Sequence, residues 1–187
     1  MLARHAQSSL NVERRINGDP AVDVPLTRAG LAEALLLGEQ LGRLPLDVCV
    51  HTSFARTRRT AEVAAGRRGV PLVVEPLLDD VDVGDLEGST IEEYRAWKQG
   101  RPRGEAFPGG ESLDDAARRY AEALRALLAR PEPTMLVVCH ELPIRYAVNG
   151  AAGSETPDGP VHDIPNATPF LFDEAALAAA ANAVARY

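Results

Sequence analysis

Short apolar runs alternate with longer amphipathic stretches along most of the chain, which predicts strands and helices in turn. "DVCVH" (47–51), "PLVVEP" (71–76), "TMLVVCH" (134–140) and "TPFLF" (168–172) read as strands. Thr27 opens a helical pattern over 27–44, with Leu31, Leu35 and Leu41 at helical spacing. A second pattern, 55–69, stops at Gly69. Thr90 and Glu93 make a capping-box pair at the head of 89–100, and Ser112 with Asp115 opens 111–130 in the same way. The Ala-rich segment 174–186 keeps Leu177 and Val184 as an apolar stripe, so it is predicted to pack as a last helix. Gly, Pro and charge gather in 99–111 and 151–166, which are predicted loops. The pattern implies an α/β fold, a three-layer α/β/α sandwich around a mostly parallel sheet, with residues 1–187 as one domain.

Composition narrows the function classes. With 187 residues and 45% hydrophobic content, the chain can bury a core without disulfides or metals. A formal charge of -7 argues against nucleic acid or an anionic membrane surface as partner, because both repel an acidic protein. No run reaches membrane-spanning length, and Arg4 interrupts the N-terminus too early for a secretory signal, so the expected location is the cytoplasm. Cys49 and Cys139 sit in strand-like runs and read as buried, reduced thiols, with a disulfide the alternative. The oligomeric state is open, a homodimer being one expectation.

Ligands of open α/β sheets bind beyond the carboxyl ends of the strands. Arg4 and His5 follow the first short run, with Asn11 further on; Thr52 to Arg56 follow "DVCVH". The acidic turn "LLDDVDVGDLEG" (77–88) follows "PLVVEP", and His140 and Glu141 follow the run at 134–139. Two guanidiniums and an imidazolium can hold three phosphoryl oxygens while a second, neutral imidazole attacks phosphorus. A nearby carboxylic acid can protonate the leaving oxygen. Phosphoryl transfer is mostly positioning and charge stabilisation, so this set needs neither metal nor cofactor.

The same fragments resemble the histidine phosphatase superfamily, which includes the cofactor-dependent phosphoglycerate mutases. "RHAQSSLN" (4–11) resembles its Arg-His-Gly-Gln-Thr motif with a following Asn. "TSFARTRRTA" (52–61) resembles its Ser-x-x-x-Arg-Ala-x-x-Thr-Ala stretch, and "DVDVGDLEG" (80–88) its Glu-x-x-x-Gly-x-Trp-Glu-Gly stretch. Pro-Gly-Gly-Glu-Ser stands unchanged at 108–112, His140 falls on the second histidine, and Pro-Asn-Ala recurs at 165–167. The resemblance implies His5 as nucleophile through a phosphohistidine. It implies Arg4, Arg56, Asn11 and His140 as the phosphate clamp, and Asp80 as proton donor. One branch of the family carries its acid directly after the second histidine, which makes Glu141 the alternative donor. Arg58, Arg59 and His162 read as surface residues, His51 as a packed strand end, and Ser112 of "PGGES" as a helix cap.

The implied activity is a metal-independent phosphomonoesterase acting on a small phosphorylated metabolite. A mutase is the enzymatic rival, disfavoured because the segment between Gly88 and Pro108 is short. A catalytically decayed phosphate-binding protein is the third reading, since Ala6, Asp80 and Glu141 each depart from the family pattern. Specificity is expected from loops 12–25, 89–110 and 151–165, and the charges of "RRINGD" (14–19) and "RPRGE" (101–105) hint at anionic substrates. Met1–Ala3 supplies only three residues to a strand that usually needs about 5–6, which favours a start upstream of Met1.

Overall fold

The computed structural model describes residues 1–42 and 44–187, with Arg67 described by its backbone alone. Five strands form one sheet: β1 (Leu2–Arg4), β2 (Val48–His51), β3 (Leu72–Val74), β4 (Met135–Cys139) and β5 (Pro169–Phe170). Their order is β3-β2-β4-β1-β5, parallel throughout except for β5, which runs antiparallel to β1. The helices are α1 (Ser9–Glu13), α2 (Arg28–Gln40), α3 (Ala55–Ala65), α4 (Ile91–Lys98), α5 (Leu113–Leu128), α6 (Glu141–Ala151) and α7 (Glu174–Val184). All the predicted strands are present. The pattern over 27–44 folds as a helix only to Gln40, and Arg43 lies outside the described residues.

Alternation along the strands builds the three layers. Leu2, Val48, Val50, Val137 and Cys139 face a core that includes Tyr120, Leu124, Ile144 and Val184, from α5, α6 and α7. Ala3, Cys49, Leu136 and Val138 face the other way, onto Ala34 and Leu37 of α2 and Ala61 and Ala64 of α3. A strand sends successive side chains to opposite faces, so the sheet is covered on both sides by its own periodicity. Cys49 and Cys139 therefore point into different layers, and both are free.

Predicted caps form as read. Thr27 Oγ1 accepts from Gly30 N at 2.9 Å, and both capping boxes close reciprocally. Two helices were not legible from periodicity. α1 is barely more than a turn, capped by Ser8 and Asn11. α6 begins at an N-cap histidine with no side-chain cap bond, and Pro143 sits in its first turn, where a missing N–H is harmless. Gly150 near its end lets α7 approach, since a Cβ there would lie 3.1–3.2 Å from Ala183 and Ala180.

β1 is only three residues long, yet both flanks hold it. Val137 N donates to Met1 O at 2.8 Å and His5 N to Cys139 O at 2.9 Å. On the other side Ala167 N donates to Arg4 O at 3.0 Å, and Asn166 Nδ2 to His5 O at 2.6 Å. Ala167 carries a φ of 48°, a strained conformation stored beside the strand end. The Pro-Asn-Ala segment thus fixes the carbonyls of Arg4 and His5.

The "PGGES" turn does more than cap α5. Asp85 N donates to Pro108 O at 2.7 Å and Glu111 N to Asp82 O at 3.0 Å, joining the turn to the acidic loop. Gly84 has a φ of 51°, and a Cβ there would lie 2.1 Å from Pro108 O. Arg119 of α5 completes the brace, donating to Leu77 O, Asp79 O and Asp80 O at 2.9–3.2 Å. Gly84→Ala is predicted to lower stability by about 2 kcal/mol, because strain and overlap coincide; urea denaturation of the two proteins checks it.

Candidate active site

The carboxyl ends of β1, β2 and β4 bring the strand-end residues together around a buried guanidinium. Arg56, in the first turn of α3, is 4% exposed and stacks over Phe54 at 4.2 Å. Its Nε donates to His5 Nε2 at 3.1 Å, and Nη1 bonds Asn17 Oδ1. Nη2 faces Asn17 O, Asp80 Oδ2 and His140 Nδ1, each at 3.1 Å. A buried cation needs such partners, since an uncompensated charge is costly in a low-dielectric interior.

Hydrogen-bond directions fix the protonation of both histidines. His5 Nδ1 lies 2.8 Å from Ala6 O, and a carbonyl only accepts, so Nδ1 carries the proton and Nε2 presents its lone pair to Arg56. Thr57 Oγ1 donates to Phe54 O at 2.8 Å, which leaves Thr52 to donate to Thr57. His140 Nε2–H then donates to Thr52 Oγ1 at 2.9 Å, and Nδ1 accepts from Arg56. Burial first, then the Arg56 guanidinium, pushes both imidazoles well below the ordinary 6.5. Both are neutral near pH 7.

The two carboxylates sit in different settings. Asp80 is a quarter exposed and lies 3.1 Å from Arg56 and 3.4 Å from His140. Burial raises its carboxyl above the ordinary value, against the opposing pull of Arg56 and the Val81 N–H. Glu141 opens α6 and pairs with Arg4 at 3.0 Å and more loosely with Arg145 at 3.8 Å. Arg4 also donates to Ile164 O at 2.8 Å. Asn11 Oδ1 is taken by Ser8 N in the α1 cap, while its Nδ2 has no partner among the described residues.

A cavity of about 860 Å³ opens over this cluster; Arg4, His5, Asn11, Arg56, Asp80 and Glu141 all line it. His140 lies behind Arg56, fully buried. His162 is an exposed loop residue, and His51 Nδ1 bonds Thr52 O at 2.7 Å, both outside the cavity wall. Arg58 and Arg59 are exposed and pair with Glu62. Of the three loops expected to set specificity, 12–25 and 89–110 contribute to the wall. No residue of 151–165 does, and Leu142 and Arg145 of α6 stand there instead. Within "RPRGE", Arg101 pairs with Glu105 and Arg103 with Asp114 and Asp158, so that segment is scaffold rather than site.

Supporting residues escaped the sequence reading because they act across the chain. Asn17 holds Arg56 and is itself held by Glu87, whose Oε1 accepts from Nδ2 at 2.7 Å and whose Oε2 accepts from Gly18 N at 2.6 Å. Thr60 Oγ1 accepts from Ala6 N at 3.0 Å. The Asn17-Gly18 turn dipeptide was the only local signal among them.

Comparison with known proteins identifies the family. The histidine phosphatase superfamily (branch 1) matches residues 1–172. "Probable phosphoglycerate mutase GpmB" of Salmonella choleraesuis is 32% identical over 160 residues, covering 81% of this chain and 74% of that protein. Among solved structures, Bacillus stearothermophilus YhfR superposes with a TM-score of 0.74 at 28% identity, over 84% of this chain and 81% of that one. The mycobacterial glucosyl-3-phosphoglycerate phosphatase Rv2419c, in complex with VO3, gives a TM-score of 0.74 at 25% identity, over 89% and 86%. The family match over residues 1–172 and the superpositions therefore agree: the chain belongs to the histidine phosphatase superfamily, branch 1.

Proposed function

We propose that the protein is a metal-independent phosphomonoesterase that hydrolyses a small phosphorylated metabolite through a phosphohistidine on His5. The observation that carries this reading is the state of His5: neutral, its Nδ1–H anchored on Ala6 O and its Nε2 lone pair aimed at the guanidinium of Arg56. Phosphoryl oxygens binding Arg56, Arg4 and the Asn11 amide take over the Arg56 N–H from Nε2 and free the lone pair for phosphorus. The Nε2–P bond forms as the bond from phosphorus to the ester oxygen breaks, and Asp80 gives its proton to the leaving oxygen. Asp80 then takes a proton from water, whose oxygen attacks phosphorus and returns the electron pair of the N–P bond to Nε2. His140 gives its Nε2–H to Thr52 and accepts from Arg56 at Nδ1, so in place of the phosphate-clamp role expected for it, it orients the guanidinium and keeps no N–H for a phosphoryl oxygen.

Asp80 is preferred to Glu141 as the acid because burial raises its carboxyl and it stands against Arg56 and His140. Glu141 is engaged as the counter-ion of Arg4. Free, buried Cys49 and Cys139 are consistent with a cytoplasmic setting, and no described helix is long and apolar enough to cross a membrane. A phosphoglycerate mutase is the second reading, favoured by the name of the Salmonella relative. Incubation with 3-phosphoglycerate and a trace of the bisphosphate separates the two, since a mutase isomerises without net phosphate release.

His5→Ala is predicted to lower hydrolysis of p-nitrophenyl phosphate by about a thousandfold or more, with chelator present throughout. Quenching the wild-type reaction should trap an acid-labile, base-stable phosphoenzyme. Wild-type turnover by His5→Ala would refute the nucleophile.

Leaving-group dependence separates the acids. Asp80→Asn is predicted to lower kcat/KM for alkyl phosphates by about a hundredfold or more while sparing kcat/KM for p-nitrophenyl phosphate, whose leaving group needs little protonation, and to lower kcat for both, because the water step also uses Asp80. Glu141→Gln should show no such split.

The pH profile follows from the same groups. A neutral His5 is the reactive form and its pKa is depressed, so His5 imposes no loss of kcat/KM as pH falls through the ordinary histidine range. Asp80 must be protonated, so activity on alkyl phosphates falls as pH rises through its raised pKa. Asp80→Asn should abolish that alkaline limb.

A further inference from the structure

The proposed step asks two opposed things of Asp80. It must carry a proton for the leaving oxygen, yet among the described residues it is the one carboxylate within ion-pair distance of Arg56, at 3.1 Å. A guanidinium this buried holds a neighbouring carboxyl in its charged form unless another anion compensates it. Glu87 has the geometry to do so. Its Oε1 accepts from Asn17 Nδ2 at 2.7 Å, and its Oε2 accepts from Gly18 N at 2.6 Å and Asp19 N at 3.1 Å. Asn17, itself 8% exposed, turns its Oδ1 and its carbonyl oxygen onto Arg56 Nη1 and Nη2. Glu87 has no cation of its own within ion-pair distance among the described residues. Arg15, on the facing segment, is taken by Gly88 O at 2.6 Å and loosely by Glu13 at 3.9 Å. The other acids around Asp80 are engaged elsewhere: Glu141 with Arg4, Glu111 with Arg119, Asp79 with Ser53 N, and Asp82 with Gly84 N.

We infer that Glu87 is a positioning residue for the phosphoryl step: through Asn17 it is the standing counter-charge of Arg56, which frees Asp80 to hold the proton for the leaving oxygen. The inference rests on the phosphomonoesterase reading with Asp80 as its acid. Burial lowers the Arg56 guanidinium from its ordinary value, and Asp80, then Glu87, pull it back up. Glu87 and Asp80 also line a second cavity of about 560 Å³, shared with Asp19, Asp79, Asp82, Glu111 and Arg119. The charge on Glu87 therefore acts on Asp80 twice in one direction: it compensates Arg56, and it repels a second carboxylate in that cavity. The remaining charged and titratable groups around Asp80 are Arg4, Glu141, the neutral His140 and the phenols of Tyr94 and Tyr120. A change at Glu87 leaves all of these in place. The 16–19 segment also has backbone support beside that side chain. Gly88 N donates to Ile16 O at 3.0 Å and Ile16 N to Ser89 O at 2.9 Å. Gly18 packs closely on the acidic loop, where a Cβ would lie 2.3 Å from Val81 O. Glu87→Gln is thus expected to fold.

The test is the alkaline limb of kcat/KM for an alkyl phosphate, which reports the protonation of Asp80. With the compensating anion gone, Arg56 favours ionised Asp80, so the reactive protonated form is lost at lower pH. In Glu87→Gln the midpoint of the limb is expected about one pH unit below that of the wild type. Glu87→Asp keeps the charge and should leave the midpoint in place even where the rate falls; thermal melts of both variants verify folding. A rate loss at every pH with an unmoved midpoint in Glu87→Gln would reduce Glu87 to a brace of the 17–19 turn and overturn the inference. Equal displacement in both variants would overturn it as well, since charge would then not be the cause. Carboxyl 13C NMR of the free enzyme follows Asp80 without turnover, its signal assigned by its loss in Asp80→Asn. There too Glu87→Gln should lower the midpoint. An enzyme that hydrolyses no ester yet shows that shift breaks the phosphomonoesterase reading alone, and an unmoved NMR midpoint breaks this one.

Discussion

Arg56 is the constraint on which the site depends. A guanidinium that is 4% exposed must find its acceptors in the protein, and it finds them on four separate chain segments: His5, Asn17, Asp80 and His140. Each is thereby placed within reach of the others. The same charge keeps both imidazoles neutral, because a protonated ring beside a buried guanidinium is doubly disfavoured by desolvation and by like charge. Asp80 Oδ2 accepts from the same guanidinium, so the proton donor of the proposed reaction is placed by the residue that places His5. Position, protonation state and field thus share one cause.

That arrangement needs a rigid frame, and the frame is made largely of backbone hydrogen bonds. β1 is very short and ends just before His5, yet the carbonyls of Arg4 and His5 are taken on one side by Ala167 N and Asn166 Nδ2 while the amide of His5 is paired on the other. The acidic loop carries Asp80 and has no regular structure beyond single turns, yet Arg119 and the turn at 108–110 hold its backbone. Precise placement on loops requires such outside support, because a loop has no ladder of its own.

What the sequence made legible follows from range. Strand runs, the caps at Thr27, Thr90 and Ser112, and the clustering of Arg4, His5, Arg56, Asp80 and His140 at strand ends are local patterns, or follow from a general property of parallel sheets. α6 was hidden because its N-terminus is occupied by His140 and Glu141 and its first turn by Pro143, so the usual opening signals are missing. The contacts of Asn17, Thr52, Arg119 and Asn166 were hidden for a different reason, although Thr52 and Asn166 stand in the motif fragments: their partners lie far along the chain, as with Asn166 and His5. The cavity wall that replaces loop 151–165 comes from α6, so missing that helix also misplaced part of the specificity surface.

Three departures from the family pattern once supported a decayed site, and each finds a physical accommodation. Among the described residues only Arg14 and Ala167 combine a side chain with a positive φ, so Ala6 does not occupy a conformation that demands glycine. Its methyl is buried beside Ala3 and Ala34, and its N–H reaches Thr60. Asp80 is one methylene shorter than the usual glutamate, yet it reaches both Arg56 and His140. Glu141 stands where the family has glycine, and there it pairs with Arg4 rather than crowding His5. None of the three removes a donor or a lone pair that the proposed reaction uses. They redistribute charge instead: Glu141 partly offsets Arg4, which leaves Arg56 as the dominant positive centre and ties the reaction more closely to the residue that assembles the site.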